Sequence, residues 1–192
     1  MNQTLAQTLA MSRPRLLSAA KTAGAIVLGV ALITICAKVR VPSWPVPMTL
    51  HTLAVMGIAL AAGPRLATAT FLAYLGAGAA GLPVFSGTPE RGIGLAYMVG
   101  PTGGYLHGFL AASWLTGTLA RGRGMAGRVL AMLAGLGVTY AAGLAWLGLY
   151  VPAGQIVTLG FLPFILGDLV NIAMVALGTA LIPARLRGEA RK

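Results

Sequence analysis

The sequence predicts an all-α, polytopic membrane protein with six transmembrane helices and structured outer loops, and three observations carry that prediction. Of its 192 residues, 57% are hydrophobic and only 9% are charged, with a mean hydropathy of +0.85, whereas about a quarter of the residues in a soluble domain are charged. The basic residues behind the formal net charge of +11 do not collect on one face; they punctuate apolar runs of membrane-spanning length. That distribution reads as a topology signal and not as a nucleic-acid surface. The third observation is a stretch dense in Gly and Pro between two apolar runs, from Gly81 to Tyr105, holding the adjacent charges Glu90 and Arg91. The chain is read as one domain over residues 1–192, with residues 81–102 as a structured outer loop.

In order, a mixed segment with Arg13, Arg15 and Lys21 leads into a first helix over 22–37. A cleaved signal peptide has a similar outline, but the polar lead is long and Ile35-Cys36-Ala37 is a poor small-x-small cleavage site. Small residues at spacing four, Ala19 with Ala23 and Ala25 with Gly29, flatten one side of this helix so that another helix can approach closely, either inside the bundle or from a partner. Pro42, Pro45 and Pro47 then enforce an extended path, because a proline biases the residue before it away from helix. Helices follow over 49–62 and 66–80, separated by the tight turn Gly63-Pro64-Arg65. Beyond the outer loop come helices over 103–120, 129–150 and 162–182.

Placing both termini in the cytoplasm puts Arg13, Arg15, Lys21, Arg65, Arg121, Arg123, Arg128, Arg185, Arg187, Arg191 and Lys192 inside, against Lys38, Arg40 and Arg91 outside. The loop and the proline-rich entry to the second helix thereby share the outer side. Glycines let a backbone adopt positive φ or approach a ligand closely and prolines fix the turns between, so the loop reads as a built surface instead of a passive connector.

One acid lies within a span. A charge near the middle of a transmembrane helix costs about 3 kcal/mol on insertion scales, so Asp168 should face a cavity and have a partner. Asn171 follows on the same helical face. At about 1.5 Å per residue, Asp168 sits roughly 9 Å below the outer end of its helix, within reach of a folded outer loop; a polar contact that merely joins helices is the other reading. The string Gly100-Pro101-Thr102-Gly103-Gly104-Tyr105 opens the fourth helix, where unpaired N–H groups point outward and suit an anion or a carbonyl. His51 and Tyr97 can add contacts, although a lone His near a helix start also occurs as a purely structural residue.

Pro45-Val46-Pro47-Met48-Thr49-Leu50-His51-Thr52, Gly81-Leu82-Pro83-Val84-Phe85, Gly100-Pro101-Thr102-Gly103-Gly104-Tyr105 and Gly167-Asp168, in this order and spacing over residues 41–171, resemble the BioY family. The resemblance implies the six-helix bundle of an energy-coupling factor (ECF) S component, with a biotin pocket on the outer side. It also implies a bacterial cytoplasmic (inner) membrane location and, as partners, a transmembrane T component and two ATP-binding-cassette ATPases. Relatives often have Gln where this chain has His51, and some have a basic residue where it has Asn171.

Biotin offers two ureido N–H donors, a carbonyl, an apolar thioether ring and a carboxylate tail. Asp168 can accept from the ureido N–H groups, with stronger bonds because the acceptor is charged, and Asn171 can donate and accept. Phe85, Tyr97 and Tyr105 can supply apolar walls, and Arg91 or the N–H groups around Thr102, Gly103 and Gly104 can take the tail. The implied partner-docking face is that of Ala19, Ala23, Ala25 and Gly29. Absence of a Gly-x-x-x-x-Gly-Lys-Ser/Thr phosphate loop leaves ATP hydrolysis to partners. One membrane acid, two histidines and the single Cys36 leave little for a metal, a cofactor or an acid–base pair, which argues against an enzyme. A stand-alone secondary carrier for biotin or a related vitamin is the alternative, although neither related halves nor a proton relay is visible.

Overall fold

The computed structural model describes residues 2–41, 48–90 and 92–181, with side chains over 18–39, 49–90 and 92–181. It is almost entirely helical. Helix α1 spans Asn2–Lys38, longer than the apolar run at 22–37 because the mixed segment before Lys21 contains good helix formers and continues the same ladder. Among its described side chains, one stripe with Ile33, Cys36 and Ala37 is buried, while Val27, Leu28 and Ile35 point outward. Apolar side chains exposed around a helix of this length fit a lipid solvent.

Two short strands, β1 (Arg40–Val41) and β2 (Met48–Thr49), pair antiparallel, with Arg40 opposite Thr49 and Val41 opposite Met48. The sequence begins its second helix at Thr49; in the structure α2 starts at His51 and spans His51–Ala79, because Thr49 is spent in the strand pair. The rest of the proline-rich entry, residues 42–47, lies outside the described residues.

Helix α2 is two limbs. Gly63 sits at φ 75° and ψ 174°, directly before Pro64, so the backbone reverses where glycine bears a positive φ without Cβ strain and proline starts the next limb with its φ pre-set. The reversal is visible in the side chains. In a straight helix His51 and Tyr74 would lie about 34 Å apart, yet their rings are 5.7 Å apart. Limbs 51–62 and 64–79 therefore run back along each other.

After the outer loop come a short helix α3 (Gly94–Met98), α4 (Gly103–Leu119) and α5 (Met125–Leu147). A 3-10 turn at Ala153–Gln155 leads through α6 (Ile156–Gly160) into α7 (Leu162–Leu181). Small residues set the helix spacing. A Cβ on Gly108 of α4 would lie 2.7 Å from the Thr139 Cα of α5, and one on Gly117 would lie 2.7 Å from the Pro64 nitrogen. Backbones this close gain dispersion and weak polar contacts that lipid tails cannot match.

Four stretches of the described residues are long and apolar enough to cross a membrane: Ser18–Lys38, His51–Ala79, Met125–Leu147 and Ala153–Leu181. The sequence-based count of six treats the two limbs of α2 as separate spans and adds α4, whose 17 residues are fewer than the roughly 20 a bilayer core requires.

Candidate functional site

Helices α2, α4, α5 and α7 and the outer loop enclose a cavity of about 170 Å³ whose walls include Thr49, His51, Thr52, Ser86, Tyr97, Thr102, Tyr105, Phe109, Thr139, Tyr140, Phe164 and Asp168. That space admits several water molecules. Hydroxyls and aromatic rings dominate the wall, and Asp168 is its one acid among the described residues.

Asp168 is not left to solvent. Its Oδ1 accepts a hydrogen bond from the Thr52 hydroxyl of α2 at 2.6 Å, and its Oδ2 accepts one from the Tyr140 hydroxyl of α5, also at 2.6 Å. Hydrogen bonds to an ionised group contribute about 1.5–3 kcal/mol each, so two of them offset the roughly 3 kcal/mol that a carboxylate within a span costs. Each carboxylate oxygen has a further lone-pair direction, so the group can still receive a donor from a ligand. Asn171, one turn on, is 2% exposed, and its Nδ2 donates to the Thr49 carbonyl at 2.9 Å. It ties the end of β2 to α7, its side chain also interacts with the Asp168 carboxylate, and it is not among the cavity walls.

His51 opens α2 with its ring stacked on Phe109 at 4.7 Å and 7° and meeting the Tyr74 ring edge-on. Only 8% of the residue is exposed, and its buried Nε2 has no hydrogen-bond partner among the described residues. A buried polar atom without a partner costs about 1–3 kcal/mol, and here the residue carrying it lines the cavity.

The outer loop is held from beneath. Phe85 is fully buried, stacked on Tyr97 at 4.9 Å and edge-on to Tyr74 at 5.3 Å. Its ring fills the space that a Cβ on Gly78 would need, 2.0 Å away. Around it, Tyr97 donates to the Ser86 carbonyl at 2.6 Å, Tyr74 to the Val84 carbonyl at 3.2 Å, and Lys38 Nζ to the Thr88 carbonyl at 3.1 Å. Phe85 thus anchors the loop from behind the wall, and Tyr97 and Ser86 present it to the cavity. Tyr105 also lines the cavity, and its hydroxyl donates to the Gly160 carbonyl at 2.7 Å, fastening α6 to α4.

Of the sequence-derived candidates, Asp168, His51, Tyr97, Thr102 and Tyr105 meet at this cavity, while Asn171 and Phe85 support it from behind. Gly103 and Gly104 do neither. A Cβ on Gly103 would lie 2.0 Å from the Met98 carbonyl oxygen, and one on Gly104 would lie 2.2 Å from Trp146 Cβ and 2.6 Å from the Ala142 oxygen. Their smallness serves contact with the loop and with α5. The Gly103 and Tyr105 N–H groups donate to the Gly100 and Thr102 carbonyls, so these two donors of the helix start are already occupied. Arg91 lies outside the described residues. Ala19, Ala23 and Ala25 are exposed, whereas Gly29 packs on Thr70, whose Cγ2 would lie 2.5 Å from a Cβ there.

Sequence reasoning missed Thr49, Thr52, Ser86, Phe109, Thr139, Tyr140 and Phe164. A signal existed for Tyr140, since Gly135, Thr139 and Gly143 mark a small-residue face on the same helix, but nothing local pairs that face with Asp168. Among the described residues no group of three His, Cys, Asp or Glu side chains is placed to hold a metal ion.

The chain is 38% identical over 170 residues to the probable biotin transporter BioY of Pyrococcus horikoshii, covering 88% of this chain and 98% of that one. It is 38% identical over 149 residues to the biotin transporter BioY of Thermotoga maritima, covering 77% of this chain and 86% of that one. In fold it is similar to a crystal structure of the S-component for biotin from an ECF-type ABC transporter, with a TM-score of 0.71 over 91% of this chain and 93% of that chain at 23% identity. The model of the BioY family matches residues 6–188, nearly the whole length, and the chain belongs to the BioY family.

Proposed function

We propose that this protein is a biotin-binding membrane subunit of an ATP-driven, ECF-type importer, capturing biotin in an outward-facing pocket formed by the cavity around Asp168. The observation that carries the reading is a carboxylate held by two hydroxyls inside a membrane span, lining a cavity beside a His51 nitrogen that has no partner among the described residues. A ligand with paired N–H donors and an adjacent carbonyl satisfies both: the N–H groups donate to Asp168, and a ring N–H of His51 donates to the carbonyl. Phe109, Tyr105 and Phe164 offer surface to an apolar ring system. The names of the BioY relatives as biotin transporters support this choice of ligand.

The membrane arrangement in this reading has six crossings, counting both limbs of α2 and adding α4, with both termini in the cytoplasm and the protein in the inner membrane. Excess Lys and Arg on that side supports it. A transmembrane T component and two ATP-binding-cassette ATPases supply the energy, since the chain has no phosphate-binding loop of its own. The exposed pair Ala19 and Ala23, one turn apart on α1, is the docking surface for the T component; Ala25 and Gly29 lie on another side of the helix, where Gly29 packs on Thr70.

Equilibrium binding of biotin to purified protein tests the ligand. Asp168→Asn should weaken binding by about 1.5–3 kcal/mol, the worth of hydrogen bonds to a charged group, or roughly 10- to 150-fold. A folded Asp168→Asn protein that binds as tightly as the parent refutes the site. Biotin uptake by the chain alone in proteoliposomes, without ATPases, would favour the stand-alone carrier.

A further inference from the structure

Asp168 reaches the cavity from α7, but its two oxygens are claimed by hydroxyls on two other helices, Thr52 of α2 and Tyr140 of α5, both at 2.6 Å. A lone carboxylate on a helix can rotate about its terminal torsion, which is broad and roughly two-fold. One hydroxyl on each oxygen, with Asn171 of the same helix as a further side-chain partner, removes that freedom and fixes the plane of the group. It also sets the chemistry, because each hydroxyl spends its proton on the carboxylate, leaving Asp168 an acceptor at both oxygens. We propose that Tyr140 and Thr52 are positioning residues that hold Asp168 as a fixed two-oxygen acceptor, selecting ligands that present paired N–H donors. This rests on the reading of Asp168 as a ligand contact and goes beyond it by assigning the recognition geometry to residues on α2 and α5.

The arrangement is not the default for these two side chains. Thr52 could have satisfied its hydroxyl on a carbonyl of its own helix, as Thr34, Thr118 and Thr139 do, and Tyr140 on a backbone carbonyl of a neighbouring element, as Tyr97 and Tyr105 do. Instead both reach across the bundle to one carboxylate, at sequence separations of 116 and 28 residues. Both also line the cavity, so the triad stands at the ligand surface.

The test is a double-mutant cycle on full-length purified protein, with biotin affinity as the readout and thermal stability recorded on the same samples. Tyr140→Phe and Thr52→Val should each weaken biotin about tenfold, while Thr52→Ser, which keeps the hydroxyl, should stay within about twofold of the parent. In the Asp168→Asn background, Tyr140→Phe should change affinity less than about twofold, because the group it positions has gone. An undiminished loss in that background overturns the proposal and makes Tyr140 a direct contact or a general support. Parental affinity in Tyr140→Phe, with Asp168→Asn impaired, overturns it while leaving the site reading intact; parental affinity in Asp168→Asn removes both. If Asp168→Asn binds too weakly to measure, the Thr52 pair decides, and equal losses in Thr52→Ser and Thr52→Val overturn the proposal.

Discussion

Replacing Phe85 with alanine separates the anchor of the outer loop from the wall of the site. Phe85 is fully buried beneath the loop, against Gly78, Tyr74 and Tyr97, and truncating a buried phenylalanine costs about 3–5 kcal/mol. The loop would keep hydrogen bonds from Tyr97 to Ser86, Tyr74 to Val84 and Lys38 to Thr88, each worth about 0.5–1.5 kcal/mol. The aromatic anchor therefore outweighs any one of them and about equals their sum. Because about 1.4 kcal/mol is a factor of ten, losing even half of the anchor's worth from the closed loop should make opening at least tenfold more frequent. Ser86 and Tyr97 line the cavity, so the bound ligand should leave correspondingly faster. Biotin release chased with excess unlabelled ligand should be at least tenfold faster in Phe85→Ala, with hydrogen exchange accelerated over residues 82–90 and little change in α5. Phe85→Leu, which keeps most of the apolar volume, should fall between the two. Parental release and parental exchange in Phe85→Ala would refute the view that this side chain holds the loop.

Gly104→Val should lower the yield of folded protein, because its Cβ would meet Trp146 Cβ at 2.2 Å and the Ala142 oxygen at 2.6 Å; Gly137→Val, where nothing lies within 4 Å, should not, as size-exclusion profiles of the two variants will show. Gly63→Ala places a Cβ on a residue at φ 75° and ψ 174°, a strain of about 1–3 kcal/mol that should lower the thermal midpoint without altering biotin affinity at a temperature where the protein stays folded. Ala19→Trp and Ala23→Trp should retain biotin binding in isolation and lose copurification with the T component, since close helix contact depends on small side chains; unchanged copurification would remove that face from the docking surface.

Much of this protein was determined by properties each segment carries alone. Apolar runs punctuated by Arg and Lys specify membrane helices because the bilayer solvates side chains by polarity, whatever they later pack against. Gly63-Pro64 specifies a reversal because only glycine takes a positive φ there without strain, and the structure turns at that point. Asp168 could be singled out because an acid within an apolar span is expensive wherever it sits. What only the tertiary structure decided were the partnerships. Thr52 and Tyr140 close on Asp168 across 116 and 28 residues of chain, and no local pattern encodes which hydroxyl meets which oxygen. The same holds for Phe85, an aromatic residue in a loop whose inward burial depends on the room that Gly78 leaves. Gly103 and Gly104 show the limit most plainly: small residues at a helix start suit a ligand or a neighbouring helix equally well by sequence, and the positions of Met98, Ala142 and Trp146 decide it. Local backbone and solvation preferences act residue by residue and are legible in order along the chain, whereas recognition needs groups from distant segments at one point, which packing alone brings together.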